Sequence, residues 1–279
     1  MQFRSFARQF IRKVNGPKYK SPPKHGDKYK ILGRWMYIDD KDSIQLTKNG
    51  LYNHEQTQII KKLVKKKHIV LDIGAHIGYF TLIMAQQAKQ VYAFEPEIRN
   101  FEILKKNIEL NKIENVKLYN VAVAENKGNT TLHLCEMNRG MHRIYPSHWC
   151  NDGTAKVETV KIDDMIKEAD FIKMDIEGAE LGALKGMKKL LKKCDSTVIM
   201  EFHPQSIVEY GANPRDIYDL MASLGYDIKL SLTDSISFEQ LEQIAKEKIG
   251  TNIICTPSGQ KKKVKKPFSR ILASNYISR

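Results

Sequence analysis

From residue 68 onward, short apolar runs alternate with amphipathic stretches, and this alternation restricts the fold more than any other feature. "HIVLDIG" (68–74), "QVYAFEP" (90–96), "NVKLYNVAV" (115–123), "FIKMDIEG" (171–178) and "TVIMEFH" (197–203) have the length and content of buried strands. Between them, "YFTLIMAQQA" (79–88), "NFEILKKNIELN" (100–111) and "AELGALKGMKKLLKK" (179–193) have helical patterning. "NPRDIYDLMASLG" (213–225) adds proline in its first turn and glycine at its end. A helix beginning at Asn53, its expected N-cap, leads into the first strand, and "SFEQLEQIAKEK" opens on a Ser237/Gln240 capping box. "YDIKLS" (226–231) and "NIICTP" (252–257) are the expected last strands. Apolar strands interleaved with helices predict an α/β fold, a mostly parallel sheet with helices on both faces. The interval 124–168 breaks the rhythm: "TTLHL" (130–134) and "KVETVKI" (156–162) flank about twenty residues without periodicity, as expected of a lid or binding loop.

The first strand ends at "DIGAHIG", a turn built to hold something. A phosphate-binding loop needs a lysine after its last glycine, and here Tyr79 follows Gly78. A dinucleotide fingerprint needs a middle glycine for the pyrophosphate, and that position is His76. Gly74, Ala75 and Gly78 still let a ligand lie over the backbone, before a helix N-terminus that favours a carboxylate. Glu95, followed by Pro96, ends the next strand 21 residues after Gly74, where an acid accepts hydrogen bonds from ribose hydroxyls. Asp72 is placed for a ligand ammonium, and Ala122 and Val123 could flank an adenine ring. Ribose, adenine, ammonium and carboxylate without pyrophosphate describe S-adenosylmethionine.

The net charge of +14 suggests a nucleic-acid binder until it is located. Residues 1–34 carry ten Lys/Arg and one acid, and residues 256–279 carry seven Lys/Arg and none, so the tails hold +16 and 35–255 is left near −2. The expected organisation is a basic extension and linker (1–34, with 15–30 rich in proline, glycine and lysine), a domain over 35–258, and a basic tail over 259–279. Phe3, Phe6, Phe10 and Val14 recur at helical spacing among Arg4, Arg8, Arg12 and Lys13, which suits a peripheral membrane contact, a transit-like segment or a solvated tail. No apolar run approaches the ~20 residues of a membrane span. Four cysteines without CxxC spacing fit reduced thiols and a cytoplasmic protein.

The stretches around 43–80, "VYAFEPEIRNFEILKKNIELN", "NVKLYNVAVAENKGNTTLHL" and "FIKMDIEGAELGALKGMKKLL" resemble the FkbM-type S-adenosylmethionine-dependent methyltransferases, from about Ser43 to His203. The resemblance implies a Rossmann-like class I methyltransferase fold with a seven-stranded sheet in the order 3-2-1-4-5-7-6. It implies O-methylation of a hydroxyl on a small molecule or sugar. It matches Asp72, Gly74, Gly78 and Glu95 to the cofactor motifs, and Asp175, Glu177 and Glu180 to the DxEGxE block. Residues 136–156 match nothing firmly, and the tails lie outside it.

In that sheet order Asp175 ends the fourth strand and should face the glycine turn, which makes it the first choice for proton acceptor, with Glu177 next. Glu180 reads as a helix first-turn acid that complements the dipole. His203, at the end of the fifth strand, has an unperturbed pKa suited to a base. Asp175, Glu177 and Glu201 could offer oxygens to a divalent metal, which their spacing does not demand. His142, His148 and Cys150 fit no zinc pattern. The block "DIEG" replaces the (N/D)PPY-like block of amino-group methylation, so a small-molecule or glycan hydroxyl is the expected acceptor. The alternatives are an RNA 2′-O-methyltransferase using the basic tails for phosphate contacts, and a non-enzymatic adaptor anchored by its tails.

Overall fold

The structure, a computed structural model, describes residues 27–259 apart from 149, 233, 234 and 249. The segment 1–14, most of the expected linker and most of both basic tails therefore lie outside the described residues. The described chain divides into two compact units, one of 27–122 with 128–159 and one of 123–127 with 160–259.

The first unit opens on a hairpin, β1 (Lys28–Ile31) and β2 (Arg34–Tyr37), paired antiparallel. The last residues of the expected linker are thus a strand: Tyr29 and Ile31 point inward while Lys28 and Lys30 point out, a two-residue period too short to stand out beside the prolines. Leu32 and Gly33 make the turn at φ 48° and 82°, the pattern of an I′ turn that asparagine–glycine fits without strain. A leucine in that left-handed conformation costs roughly 1–2 kcal/mol. After the short helix α1 (Leu46–Asn49), capped by the Asp42 carboxylate, α2 (His54–Leu63) starts as expected at Asn53, whose side chain accepts from the Gln56 N–H.

The alternation then follows as read: β3 (Ile69–Ile73), α3 (Tyr79–Ala85), β4 (Gln90–Phe94), α4 (Ile98–Leu110) and β5 (Val116–Tyr119), with β3, β4 and β5 parallel. Successive buried residues in β3 mean that both of its faces are covered. The expected third strand stops early, because Asn120 turns its amide to the carbonyls of Glu95 and Pro96 (2.9 and 3.0 Å). Beyond that break, β6 (Ala122–Val123), β7 (Gly128–His133) and β8 (Thr154–Val160) form a small sheet in the order β6-β8-β7. The interval without periodicity is held by polar side chains. Asn100 donates to the Arg139 carbonyl, the Arg139 N–H donates to Ser43, and the Cys135 N–H donates to His142 Nδ1.

The second unit contains α5 (Ile162–Met165), β9 (Phe171–Met174), α6 (Glu180–Gly186), α7 (Lys188–Lys193), β10 (Thr197–Phe202), α8 (Pro204–Glu209), α9 (Pro214–Ser223), β11 (Tyr226–Lys229), α10 (Phe238–Lys248) and β12 (Thr251–Pro257). The single helix expected over 179–193 breaks at Met187 (φ −124°, ψ 20°). Asp163 accepts the N–H groups of Lys189 and Leu190 (3.0 and 2.8 Å), so a second helix starts there. Gly186 lies against the Ala124 carbonyl, which a β-carbon would approach to 2.1 Å. The Ser237/Gln240 box closes in both directions (2.8 and 3.3 Å). Phe171 and Phe202 are fully buried, each contributing about 1.5–3 kcal/mol.

The large sheet has seven strands in the order β5-β4-β3-β9-β10-β12-β11. Counted from β3 this is 3-2-1-4-5-7-6, with β12 antiparallel to both its neighbours, as expected of a Rossmann-like class I methyltransferase. No described helix is long and apolar enough to cross a membrane.

Candidate active site

In the first unit the chain leaves β3 through Gly74, His76 and Gly78, all at positive φ (78°, 50° and 92°). The N–H groups of Gly74 and Ala75 both donate to the Phe94 carbonyl at 3.0 Å. The His76 N–H donates to Glu95 Oε2 at 2.8 Å, and the Gly78 N–H to the Ala75 carbonyl at 2.9 Å. A phosphate cradle works by aiming such groups at the ligand; here four of them are committed inside the protein. The turn therefore fits a ligand without pyrophosphate, and the residues present suit S-adenosylmethionine better than a dinucleotide. Gly78 is needed for space as well as conformation, since a β-carbon there would lie 2.6 Å from Leu104 Cδ1.

Glu95 is held from both sides. Besides His76, the Glu97 N–H donates to its Oε1 at 3.0 Å, and Asn120 holds the carbonyls of Glu95 and Pro96. Glu97 caps α4 through the Asn100 N–H (2.8 Å) and pairs with Arg99 (2.9 Å). Asp72 is fully buried and accepts from the Thr81 hydroxyl at 2.5 Å. Asn107, fully buried, joins both backbone groups of Tyr37 to the Ile77 carbonyl (2.8 Å) and so fixes the far side of the turn. Ala122 packs with Leu132 and Val157 in the small sheet's core, and Val123 is buried beside it in β6. Sequence reading placed Asp72, Gly74, Ala75, Gly78, Glu95 and Pro96 at one turn and its neighbour, where they are found. It missed Asn107 and Asn120, because an asparagine beyond a strand or inside a helix carries no pattern.

In the second unit the chain leaves β9 at Asp175. Glu177 and Gly178 follow at φ 58° and 105°, so Glu177 is in a conformation that side chains rarely adopt outside functional turns. Carboxylate oxygens of Asp175, Glu177 and Glu201 all lie within 4.8 Å of one another. Lys173, almost fully buried, brings its Nζ to 3.8 Å from Asp175 Oδ2. Glu180 is 1% exposed and accepts the Ile176 N–H at 3.1 Å. Its burial pushes its pKa up to about 7, against backbone hydrogen bonds that lower it. Desolvation of its carboxyl raises Glu201 well above the usual range, and the charges of Asp175, Glu177 and Glu180 add to that. Glu180 stands in the first turn of α6, as read, and is buried there beside the charge of Asp175. His203 is the N-cap of α8, its Nδ1 accepting the Ser206 N–H at 3.1 Å. The three clustered carboxylates could hold one divalent cation or share one proton, and Lys173 supplies positive charge beside them in either case.

The sequence profile of the Methyltransferase FkbM domain matches residues 72–228. The chain is 26% identical over 187 residues to the 2-O-methyltransferase NoeI of Sinorhizobium fredii, covering 60% of this chain and 76% of NoeI. It is 23% identical over 171 residues to the hexuronic acid methyltransferase AglP of Haloferax volcanii, covering 59% of this chain and 66% of AglP. A crystal structure of methyltransferase FkbM from Methylobacillus flagellatus superposes with a TM-score of 0.45 at 18% identity, covering 69% of this chain and 44% of that one. With the profile spanning more than half its length, the chain belongs to the FkbM family of S-adenosylmethionine-dependent methyltransferases.

Proposed function

We propose that the protein transfers a methyl group from S-adenosylmethionine to a hydroxyl oxygen of a sugar or small molecule. The observation that carries this reading is the carboxylate group of the second unit, which offers several acceptors and one buried ammonium to a hydroxyl-bearing molecule. NoeI and AglP, named for 2-O-methylation and for hexuronic acid methylation, support the same acceptor class. The first unit would hold most of the cofactor, with Glu95 accepting from the ribose hydroxyls, Asp72 near the ammonium, Gly74, Ala75 and Gly78 against its backbone side, and Pro96 and Ala122 bordering the adenine together with Val123, which belongs to the second unit. When bound, S-adenosylmethionine supplies a methyl on a positively charged sulfur.

Asp175 would accept the hydroxyl proton as the oxygen–methyl bond forms and the methyl–sulfur bond breaks, the electron pair leaving with sulfur as S-adenosylhomocysteine, with Glu177 binding a neighbouring hydroxyl. Glu201, kept protonated by its surroundings, would donate rather than accept. His203, through its cap, would hold the end of β10 that carries Glu201. No metal is needed for this scheme, because Lys173 balances the charge of Asp175. The RNA 2′-O reading rests on tails outside the described residues, and nothing described favours it. A cytoplasmic location belongs to this reading, and the four free cysteines are compatible with it.

The test is transfer of labelled methyl from S-adenosylmethionine to uronic-acid-containing and neutral oligosaccharides, with the product located by mass spectrometry. Methyl on a sugar hydroxyl is expected. Methyl found only on RNA ribose, or on an amine, would overturn the proposal.

A further inference from the structure

The hairpin β1–β2 turns one face inward, burying Tyr29, Ile31 and Met36. Its other face is exposed and has a particular composition. Lys30 lies opposite Trp35 and Lys28 opposite Tyr37, with the Lys28 Nζ 5.5 Å from the centre of the Tyr37 ring. Trp35 is 48% exposed, and Leu32 projects from the turn at 38%. Leu32 is the informative residue. At φ 48° it occupies a left-handed position where asparagine would sit without strain, yet more than a third of its apolar side chain is left exposed. Strain kept at an exposed apolar tip points to a use outside the chain. The hairpin is anchored rigidly behind that tip, since Asn107 bonds both backbone groups of Tyr37 and Asn111 donates to the Trp35 carbonyl at 2.7 Å.

Charge identifies the partner. Lys28 and Lys30 share the outer face with Trp35, Arg34 follows the turn opposite Ile31, and Asp27 is the one acid among residues 1–34. The 26 residues that precede Asp27 add seven Lys/Arg and the spaced apolar residues Phe3, Phe6, Phe10 and Val14. A tryptophan and a leucine beside lysine and arginine suit the headgroup region of an anionic bilayer, where the ring is half-buried and the cations meet lipid phosphates. We propose that the tip and outer face of the β1–β2 hairpin, with Leu32 and Trp35 inserted and Lys28, Lys30 and Arg34 beside them, dock the protein on an anionic membrane surface. This does not depend on the acceptor assigned above, because cofactor binding and methyl transfer are read separately.

The experiment uses the full chain with vesicles of phosphatidylcholine alone or mixed with phosphatidylglycerol, measured by co-sedimentation and tryptophan emission. Binding to the anionic vesicles, with a blue shift of emission that is absent in Trp35→Ser, is expected. Leu32→Asn is the decisive variant, because it removes the apolar tip while relieving the backbone. It should melt at the same or a higher temperature than the parent, bind S-adenosylhomocysteine unchanged, and bind anionic vesicles roughly tenfold more weakly. Equal vesicle binding by the parent, Leu32→Asn and Trp35→Ser would overturn the proposal and leave any binding to the tails. Equal binding to neutral vesicles, or binding to RNA with none to vesicles, would overturn it as well.

Discussion

The glycine turn of the first unit and the carboxylate group of the second are built by opposite means. At the turn, backbone donors are satisfied internally, Gly78 is packed against Leu104, and what is offered outward is an acid, Glu95, fixed by two N–H groups. In the second unit, like charges are packed together, Glu180 and Glu201 are forced toward their protonated forms, and Glu177 is held in a rare conformation. The first arrangement has its backbone donors paired and suits a ligand bound the same way each time. The second stores electrostatic tension, the condition under which proton transfer near neutral pH becomes accessible. The contrast teaches that removing charge should act oppositely in the two units, weakening binding in the first and relieving the fold in the second.

The largest effect should come from Asp175→Asn. It preserves shape but removes the proton acceptor, so turnover should fall by ~10²–10⁴-fold with little change in cofactor affinity. Steady-state kinetics beside calorimetry reads both, and normal turnover would move the base to another carboxylate.

Glu180→Gln sharpens the comparison through stability. The folded pKa of about 7 lies above the ordinary 4.5, so between those values the folded chain keeps a proton that the unfolded chain has lost. This group's contribution is therefore full below pH 4.5 and declines as pH rises towards 7, by up to about 3 kcal/mol at ~1.4 kcal/mol per pH unit. The glutamine variant should flatten that decline and be more stable than the parent at pH 8 by about 2 kcal/mol. Denaturant melts across pH 4 to 8 (a span of about four units) measure it, and a destabilised variant with an unchanged slope would contradict the burial argument.

The sequence showed the first region more fully than the second for a physical reason. Strand runs, the glycine turn and the spacing from Gly74 to Glu95 are local patterns that can be read along the chain, whereas the sheet order came from the family resemblance. Asn107 and Asn120 were not legible, because each acts through a bond to a distant carbonyl. Glu180 was legible as a first-turn acid, but its burial was not, because burial depends on packing that no local pattern shows. The break at Met187 depends on Asp163, 24 residues away, and the strand at Lys28 was hidden by the prolines before it.

The central claim is that the closed glycine turn with Glu95 holds S-adenosylmethionine. Titration calorimetry of the parent and Glu95→Ala with S-adenosylhomocysteine, and of the parent with NAD, tests it most directly. The account predicts that the parent binds S-adenosylhomocysteine and not NAD, and that Glu95→Ala loses at least ~1.5 kcal/mol, about tenfold in affinity. Equal affinity of parent and variant, or tight binding of NAD, would contradict it.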